Sequence, residues 1–116
     1  MMKINEPLLV YVAHPYGGLI ENKEKVDRIM RYLIKEDTDN VYLSPIHNYG
    51  MTYFKNEYAK GLDICLRMLR QCDVLVLCGD WQNSKGCIGE WVQAKSDNID
   101  VYKYDEWVGR LKEYGR

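Results

Sequence analysis

Strand-like and helix-like hydrophobic patterns alternate along this chain, and that alternation constrains its fold more than any other feature. The apolar runs Leu8–Ala13 and Val74–Cys78 are predicted to be buried strands, and Val41–Leu43 and Asp100–Tyr104 to be two further strands. The segments between them repeat apolar side chains every three or four residues, which is typical of amphipathic helices. In the first such segment these residues are Val26, Ile29, Met30, Leu33 and Ile34.

The predicted order β-α-β-α-β-α-β-α defines the fold class. Strands that alternate with helices form a parallel sheet through right-handed crossovers, with helices on both faces. We therefore predict an α/β protein, a flavodoxin- or Rossmann-like three-layer sandwich with a four- to five-stranded parallel sheet. The 116 residues are 47% hydrophobic, so we expect a single domain, 1–116, with a small core.

The charge balance argues against large anionic partners. Sixteen Lys and Arg face seventeen Asp and Glu, which gives a formal net charge of −1 and no overall attraction to a nucleic acid polymer or a membrane surface. The longest apolar run, Leu8–Ala13, is too short to span a bilayer, and the first residues lack the apolar stretch of a secretion signal. We expect a cytoplasmic protein that binds a small molecule.

The cysteine pattern predicts neither a metal site nor a disulfide framework. No C-x-x-C pair occurs, and neither histidine lies near a cysteine in the sequence, so no metal and no cofactor are predicted. Cys65, Cys72 and Cys78 are interpreted as small buried apolar residues. Cys87 follows a polar, glycine-containing loop, where a reactive thiol is an alternative interpretation.

Three loops follow the first three strands and carry most of the unusual residues: His14–Gly18, Ser44–Lys55 and Gly79–Gly86. Ligands of open parallel sheets bind beyond the carboxyl ends of the strands, where such loops meet. The first loop lacks the G-x-G-x-x-G and Walker patterns. Its two glycines indicate either a simple turn or a backbone that approaches an anion closely.

The third loop leads into a predicted helix, Cys87–Lys95. Ser84 is either a helix cap in a solvent-facing turn or, with Gly86, part of a phosphate site at the helix start. Glu90 is either stabilised by the helix dipole alone or directed into the ligand site. A carboxylate in such a site can attack an anomeric carbon and form a glycosyl ester.

Three segments in register resemble the nucleoside 2-deoxyribosyltransferase superfamily. Tyr11-Val12-Ala13-His14-Pro15 is similar to its Y-x-A-x-P start, and Asp73-Val74-Leu75-Val76-Leu77 to its central strand. Ser84-Lys85-Gly86-Cys87-Ile88-Gly89-Glu90, followed by Ala94, is similar to its S-x-G-x-x-x-E-x-x-x-A signature. The resemblance runs from about residue 8 to residue 103 and is closest to a small, often phage-encoded branch.

The resemblance implies cleavage or transfer of the N-glycosidic bond of a 2-deoxynucleoside or its 5′-monophosphate. Glu90 would be the nucleophile on C1′, and Tyr11 would hold it through a hydrogen bond. Ser84 and Gly86 would bind the 5′-phosphate, and Asp80 would lie near the sugar or base. The other implied substrate-binding residues are His14, Pro15, Tyr16, Gly17, Gly18 and Trp81. Members of the superfamily assemble as homodimers or larger homo-oligomers.

The chain departs from the family pattern at the expected general acid. The pattern has an aspartate eight residues before the aspartate that opens the central strand, and this chain has Cys65 there. Asp63 is the nearest carboxylate and is the candidate acid, although two residues correspond to about 200° around a helix. His14 is the other candidate acid, and the preferred interpretation of His14 is that it is an ordinary loop residue.

Two further points stay open at the level of sequence. Aromatic side chains near the predicted site suit stacking on a nucleobase: Tyr16, Tyr49, Tyr53, Tyr58 and Trp81. The apolar C-terminal segment fits either a homodimer interface or packing on its own sheet. Besides an enzyme, the same site is compatible with a module that binds a nucleotide or nucleotide-derived signal without turnover, and a purely structural role is a third alternative.

Overall fold

The computed structural model describes residues 6–49 and 58–113 as four strands and five α-helices. The strands are β1 (Leu9–Ala13), β2 (Val41–Leu43), β3 (Val74–Leu77) and β4 (Asp100–Lys103). The helices are α1 (Ile20–Glu36), α2 (Pro45–Tyr49), α3 (Tyr58–Leu69), α4 (Lys85–Ser96) and α5 (Tyr104–Glu113). A short 3-10 turn, Trp81–Asn83, lies between β3 and α4.

The four strands form one parallel sheet in the order β2-β1-β3-β4. This confirms the predicted flavodoxin-like α/β class, because sheets of that type begin with the same order and reverse direction between β1 and β3. Tyr11 pairs with Leu43 on one side and with Leu75 on the other, so β1 is central.

The sheet is covered on both faces. Val10 and Val12 point to a core cluster that includes Val26 of α1 and Trp107 of α5. The alternate side chains of β1 point to the opposite cluster, which includes Leu69 of α3 and the α4 residues Cys87 and Ala94. The alternation follows from the two-residue period of a strand and produces the three predicted layers.

The C-terminal segment packs on its own sheet. Trp107 and Leu111 are buried in the first cluster, and Tyr102, Tyr104 and Val108 pack against it. The indole Nε1 of Trp107 donates a 2.9 Å hydrogen bond to Tyr42 Oη, and that hydroxyl donates to the buried Asp37 carboxylate at 2.6 Å. These contacts hold α5 against β2. Homo-oligomer formation stays a prediction.

The four cysteines are free thiols, and three of them are buried: Cys72, Cys78 and Cys87. Cys87 lies in the first turn of α4 rather than in an open loop, because α4 begins at Lys85. Burial raises the pKa of its thiol to about 12, so the alternative of a reactive thiol is wrong. None of the described helices is long and apolar enough to cross a membrane.

Candidate functional site

A cavity of about 490 Å³ opens at the carboxyl edge of the sheet, and we call it the edge cavity. All three predicted loops contribute to its lining: His14–Gly17 after β1, the α2 residues Pro45, Ile46 and Tyr49 after β2, and Asn83–Gly86 after β3. Helix α3 supplies Leu62 and Cys65, and α4 supplies Glu90. The size is within the range of small-molecule sites, and the lining is largely apolar with a few polar groups.

Glu90 is the buried carboxyl group of this cavity. It lies one and a half turns into α4 with only 5% of its surface exposed, and the hydroxyl of Tyr11 donates a hydrogen bond to its Oε2. Burial raises the pKa of Glu90 to about 7, while the hydrogen bond from Tyr11 opposes that rise. A carboxyl group with this pKa is close to half ionised at neutral pH, which suits acid, base or nucleophile chemistry.

Tyr11 holds Glu90 from inside the core. The phenol is fully buried in the cluster formed with α3 and α4, and its backbone is central in the sheet. Burial, reinforced by the neighbouring Glu90, raises the pKa of Tyr11 well above 10, so the phenol keeps its proton. Because β1 is fixed on both sides, the hydroxyl and the carboxyl group meet in one orientation.

Cys65 of α3 is the third side chain in contact with the Glu90–Tyr11 pair. It lines the cavity, and its thiol interacts with the Tyr11 hydroxyl and lies near Glu90. Burial first, and then the Glu90 charge, raise the pKa of Cys65 to about 11. Cys65 is therefore in contact with the site and is a neutral thiol at pH 7.

Ser84 caps α4. Its Oγ accepts a 3.2 Å hydrogen bond from the backbone N–H of Cys87, which confirms the predicted cap, and Ser84 also lines the edge cavity with Gly86. A Cβ added to Gly86 would meet only Ser84 Oγ, at 3.9 Å. The Gly86 backbone is therefore accessible beside the Ser84 cap. The first amides of α4 thus lie at the cavity wall, where a helix terminus favours negative charge.

The loop after β1 is built around His14 and two glycines. His14 is buried, and its Nδ1 lies 2.7 Å from the carbonyl oxygen of Pro15. Burial lowers the pKa of His14, the Pro15 contact opposes that change, and Lys25 lowers the pKa further. Gly17 and Gly18 have φ values of 59° and 75°, which explains the glycine pair in this turn.

The structure does not bring every predicted site residue to the cavity. Asp63 is on the exposed side of α3, where it accepts a 2.8 Å hydrogen bond from Arg67. Asp80 accepts from Asn83 Nδ2 at 2.9 Å, and Trp81 packs edge-on against Trp91 with ring centroids 5.8 Å apart. Neither Asp80, Trp81 nor Gly18 is part of the described lining. Tyr53 lies outside the described residues, as does the side chain of Tyr58.

Sequence reasoning missed several residues that line the cavity. Asn22 and Asn83 add amide groups, and Leu19, Ile46 and Leu62 add apolar surface. Asn22 also donates a 3.0 Å hydrogen bond to the carbonyl oxygen of Tyr16, which supports the first loop. Asn22 is in the first turn of α1, which starts at the carboxyl edge of the sheet. This position in the sequence could have identified Asn22 as a residue of the cavity.

The fold and the cavity define an α/β protein with a small-molecule-sized site at the switch point of a parallel sheet. Within that class, the chain matches a family described as a domain of unknown function, DUF4406, over residues 8–103, and it belongs to that family. The matched segment includes β1–β4 and every residue of the cavity discussed above. No curated protein matches the chain at a significant level.

Proposed function

We propose that the protein cleaves or transfers the N-glycosidic bond of a 2-deoxynucleoside or its 5′-monophosphate, with Glu90 as the nucleophile. The observation that carries this proposal is the buried Glu90–Tyr11 pair in the edge cavity. The three segments that resemble the nucleoside 2-deoxyribosyltransferase superfamily supply both members of that pair. The cavity volume and its aromatic residues Tyr16 and Tyr49 are compatible with a nucleoside.

In this mechanism the ionised Glu90 attacks C1′ of the deoxyribose. One carboxylate oxygen forms a bond to C1′ while the C1′–N bond breaks and its electron pair passes to the base nitrogen. The departing base gains a proton, which completes the first half-reaction. Water then attacks C1′ to release the sugar, or a second base does so to form a new nucleoside, and either step returns Glu90 as a carboxylate.

Tyr11 acts as a positioning residue in this scheme. Its hydrogen bond stabilises the ionised form of Glu90 against the burial that favours the neutral form. Ser84, Gly86 and the first turn of α4 are the proposed phosphate contacts, because they combine a hydroxyl, an open backbone and a helix terminus at the cavity wall.

The leaving base needs a proton donor, and the weakness of the donors near Glu90 favours a second candidate function. Cys65 holds its proton to about pH 11, and buried His14 is mostly neutral at pH 7 because its pKa is lowered. Asp63 points away from the cavity and pairs with Arg67. Weak acids at these positions are what a module that binds a nucleotide without turnover would have, and this is the alternative proposal.

The test is incubation of the purified protein with the four deoxynucleosides and the four deoxynucleoside 5′-monophosphates. Free base is followed by chromatography, and Glu90→Gln is assayed in parallel because it keeps the shape of the side chain and removes the charge. The matched control is Asp63→Asn, which changes a carboxylate outside the cavity. The enzyme proposal predicts base release by the wild type and by Asp63→Asn, and none by Glu90→Gln.

The outcomes separate the two candidates. Base release that survives in Glu90→Gln would overturn the proposed nucleophile. No release with any of the eight compounds, combined with a nucleotide-dependent rise in Tm in both wild type and Glu90→Gln, would favour the binding module. Addition of a second base to a reactive mixture then distinguishes transfer, which yields a new nucleoside, from hydrolysis.

A further inference from the structure

A second cavity shares His14 with the edge cavity but has a different chemical character. It has a volume of about 460 Å³ and is lined by His14, Lys25, Arg28, Tyr32, Gly79 and Tyr104, with Ile29. We call it the basic cavity. The nucleotide chemistry proposed above does not use any of these residues except His14.

The fold places this cavity beside the ends of three strands. His14 follows β1, Gly79 lies two residues after β3, and Tyr104 directly follows β4. Lys25, Arg28 and Tyr32 come from α1, where the spacing of three and four residues puts them on one stripe. The cavity is therefore at the ligand-binding edge of the sheet, but on the face covered by α1 and α5.

The charges that line the basic cavity have one sign. Lys25 and Arg28 are exposed, and neither forms an ion pair with a described residue. No carboxylate is among the described lining residues. Lys25 is close enough to His14 to lower the imidazole pKa, after the larger effect of burial. Two cations without counter-charges at one opening attract an anion, and Arg binds phosphate oxygens in a fork geometry.

Aromatic rings flank the same opening. Tyr32 is 39% exposed, and Tyr104 is half-buried beside it. Burial, with the nearby Cys78 and Tyr32, raises the pKa of Tyr104, so its hydroxyl is neutral at pH 7. Neutral phenol rings present flat surfaces on which a planar ligand ring can stack.

The floor of the cavity is held in one shape. Gly79 has a φ of 61°, and a Cβ built on it would lie 2.9 Å from His14 Nε2. The imidazole therefore packs directly against the Gly79 backbone, with its Nδ1 held by Pro15.

We propose that the basic cavity binds a phosphorylated small molecule that carries a planar ring, with the phosphate on Lys25 and Arg28 and the ring against Tyr32 and Tyr104. An adenosine 5′-monophosphate-type nucleotide has this chemistry and fits a cavity of this size. This site is separate from the proposed reaction at Glu90 and does not depend on it.

The test measures AMP and inorganic phosphate binding by calorimetry, and the His14 imidazole titration by proton NMR. The phosphate neutralises the field of Lys25, so AMP raises the pKa of His14 in the wild type. His47, which contacts Ser44 Oγ and Asp27 instead, lies outside the basic cavity, and its resonances are the internal reference. The double variant Lys25→Ala with Arg28→Ala weakens AMP binding about tenfold or more, because two charge-assisted contacts are lost.

Two matched variants make the result specific. Lys23→Ala removes an exposed charge from α1 outside the cavity and changes the AMP affinity by less than about twofold, because the charge is screened by solvent. Ser84→Ala alters a proposed phosphate contact of the edge cavity, so it weakens any AMP binding there and leaves the binding that depends on Lys25 and Arg28 intact. All four substituted residues lie outside the core clusters, so each variant is expected to fold.

Several outcomes would overturn the proposal. Equal losses for Lys23→Ala and the double variant would mean non-specific attraction. Loss of the Lys25- and Arg28-dependent binding in Ser84→Ala would assign AMP to the edge cavity alone. A His14 pKa that AMP leaves unchanged would exclude the site beside His14. Equal affinities for AMP and inorganic phosphate would refute the ring contacts with Tyr32 and Tyr104.

Discussion

The buried Glu90 predicts that an uncharged replacement stabilises the protein, and that the gain depends on pH. Glu90 has an ordinary pKa of 4.5 in the unfolded chain and a pKa of about 7 in the folded protein. Between these values the unfolded chain has released its proton while the folded protein retains it, so rising pH lowers the free energy of unfolding. Below 4.5 both states are protonated and the carboxyl group contributes nothing, and above 7 the loss is constant.

The magnitude follows from the two pKa values. Each pKa unit corresponds to about 1.4 kcal/mol, so Glu90 destabilises the folded wild type by about 3 kcal/mol at pH 8 and by about 1 kcal/mol at pH 5. Glu90→Gln has no charge to bury, and its amide oxygen can still accept from Tyr11. The variant is therefore expected to be more stable by about these amounts, with most of the gain appearing between pH 5 and pH 8.

Urea unfolding at pH 5, 6, 7 and 8, followed by tryptophan fluorescence, measures this difference. Asp63→Asn is the control, because that carboxylate is 55% exposed in an ion pair with Arg67. Its effect is expected to stay within about 1 kcal/mol and to vary little over this pH range. A stability gain for Glu90→Gln that is equal at pH 5 and pH 8 would refute the reasoning, since only a shifted ionisation makes the gain pH-dependent.

Three other outcomes follow from the contacts described above. Tyr11→Phe removes the hydrogen bond that lowers the pKa of Glu90, so a Glu90-dependent reaction should move to higher pH in a pH–rate profile. Gly79→Ala should cost about 1–3 kcal/mol of unfolding free energy, and more than Gly17→Ala, which shares the positive φ but has no atom within 4 Å of the added Cβ. Cys72, Cys78 and Cys87 should react with a thiol reagent at pH 7 only after urea unfolding, because burial raises each pKa to about 12.

Local chemistry made parts of the fold and site predictable. The apolar composition of Val74–Leu77 identified a strand buried on both faces, and Ser84 identified the start of α4, since a serine hydroxyl accepts from the first free amides of a helix. The convergence of three loops at one cavity followed from the topology alone. The Glu90–Tyr11 contact was inferred from the family resemblance, and the structure places the two side chains together.

Other features depended on tertiary contacts that periodicity does not encode. Pro45 is the first residue of α2, a position that proline favours, but a helix of five residues is too short to show a hydrophobic period in the sequence. Trp81 is predicted to lie at the mouth of the site, but its ring packs instead against Trp91 of α4. Arg28 lies on the polar side of α1, and a helical pattern alone does not tell which polar residues a neighbouring loop will meet.

Strand β1 lies at the centre of the sheet and also supplies Tyr11, which holds Glu90. The edge cavity therefore has a part fixed by the core and a part formed by its walls. Tyr11 anchors the Glu90 carboxyl group from the centre of the core, so its replacement is expected to affect the proposed reaction and the stability together. The walls come from loops and helix ends and combine buried residues such as Ile46 with exposed ones such as Tyr49 and Asn83. Exposed wall side chains such as Tyr49 and Asn83 can therefore be exchanged to change the shape of the cavity, while the buried carboxyl–phenol pair stays fixed.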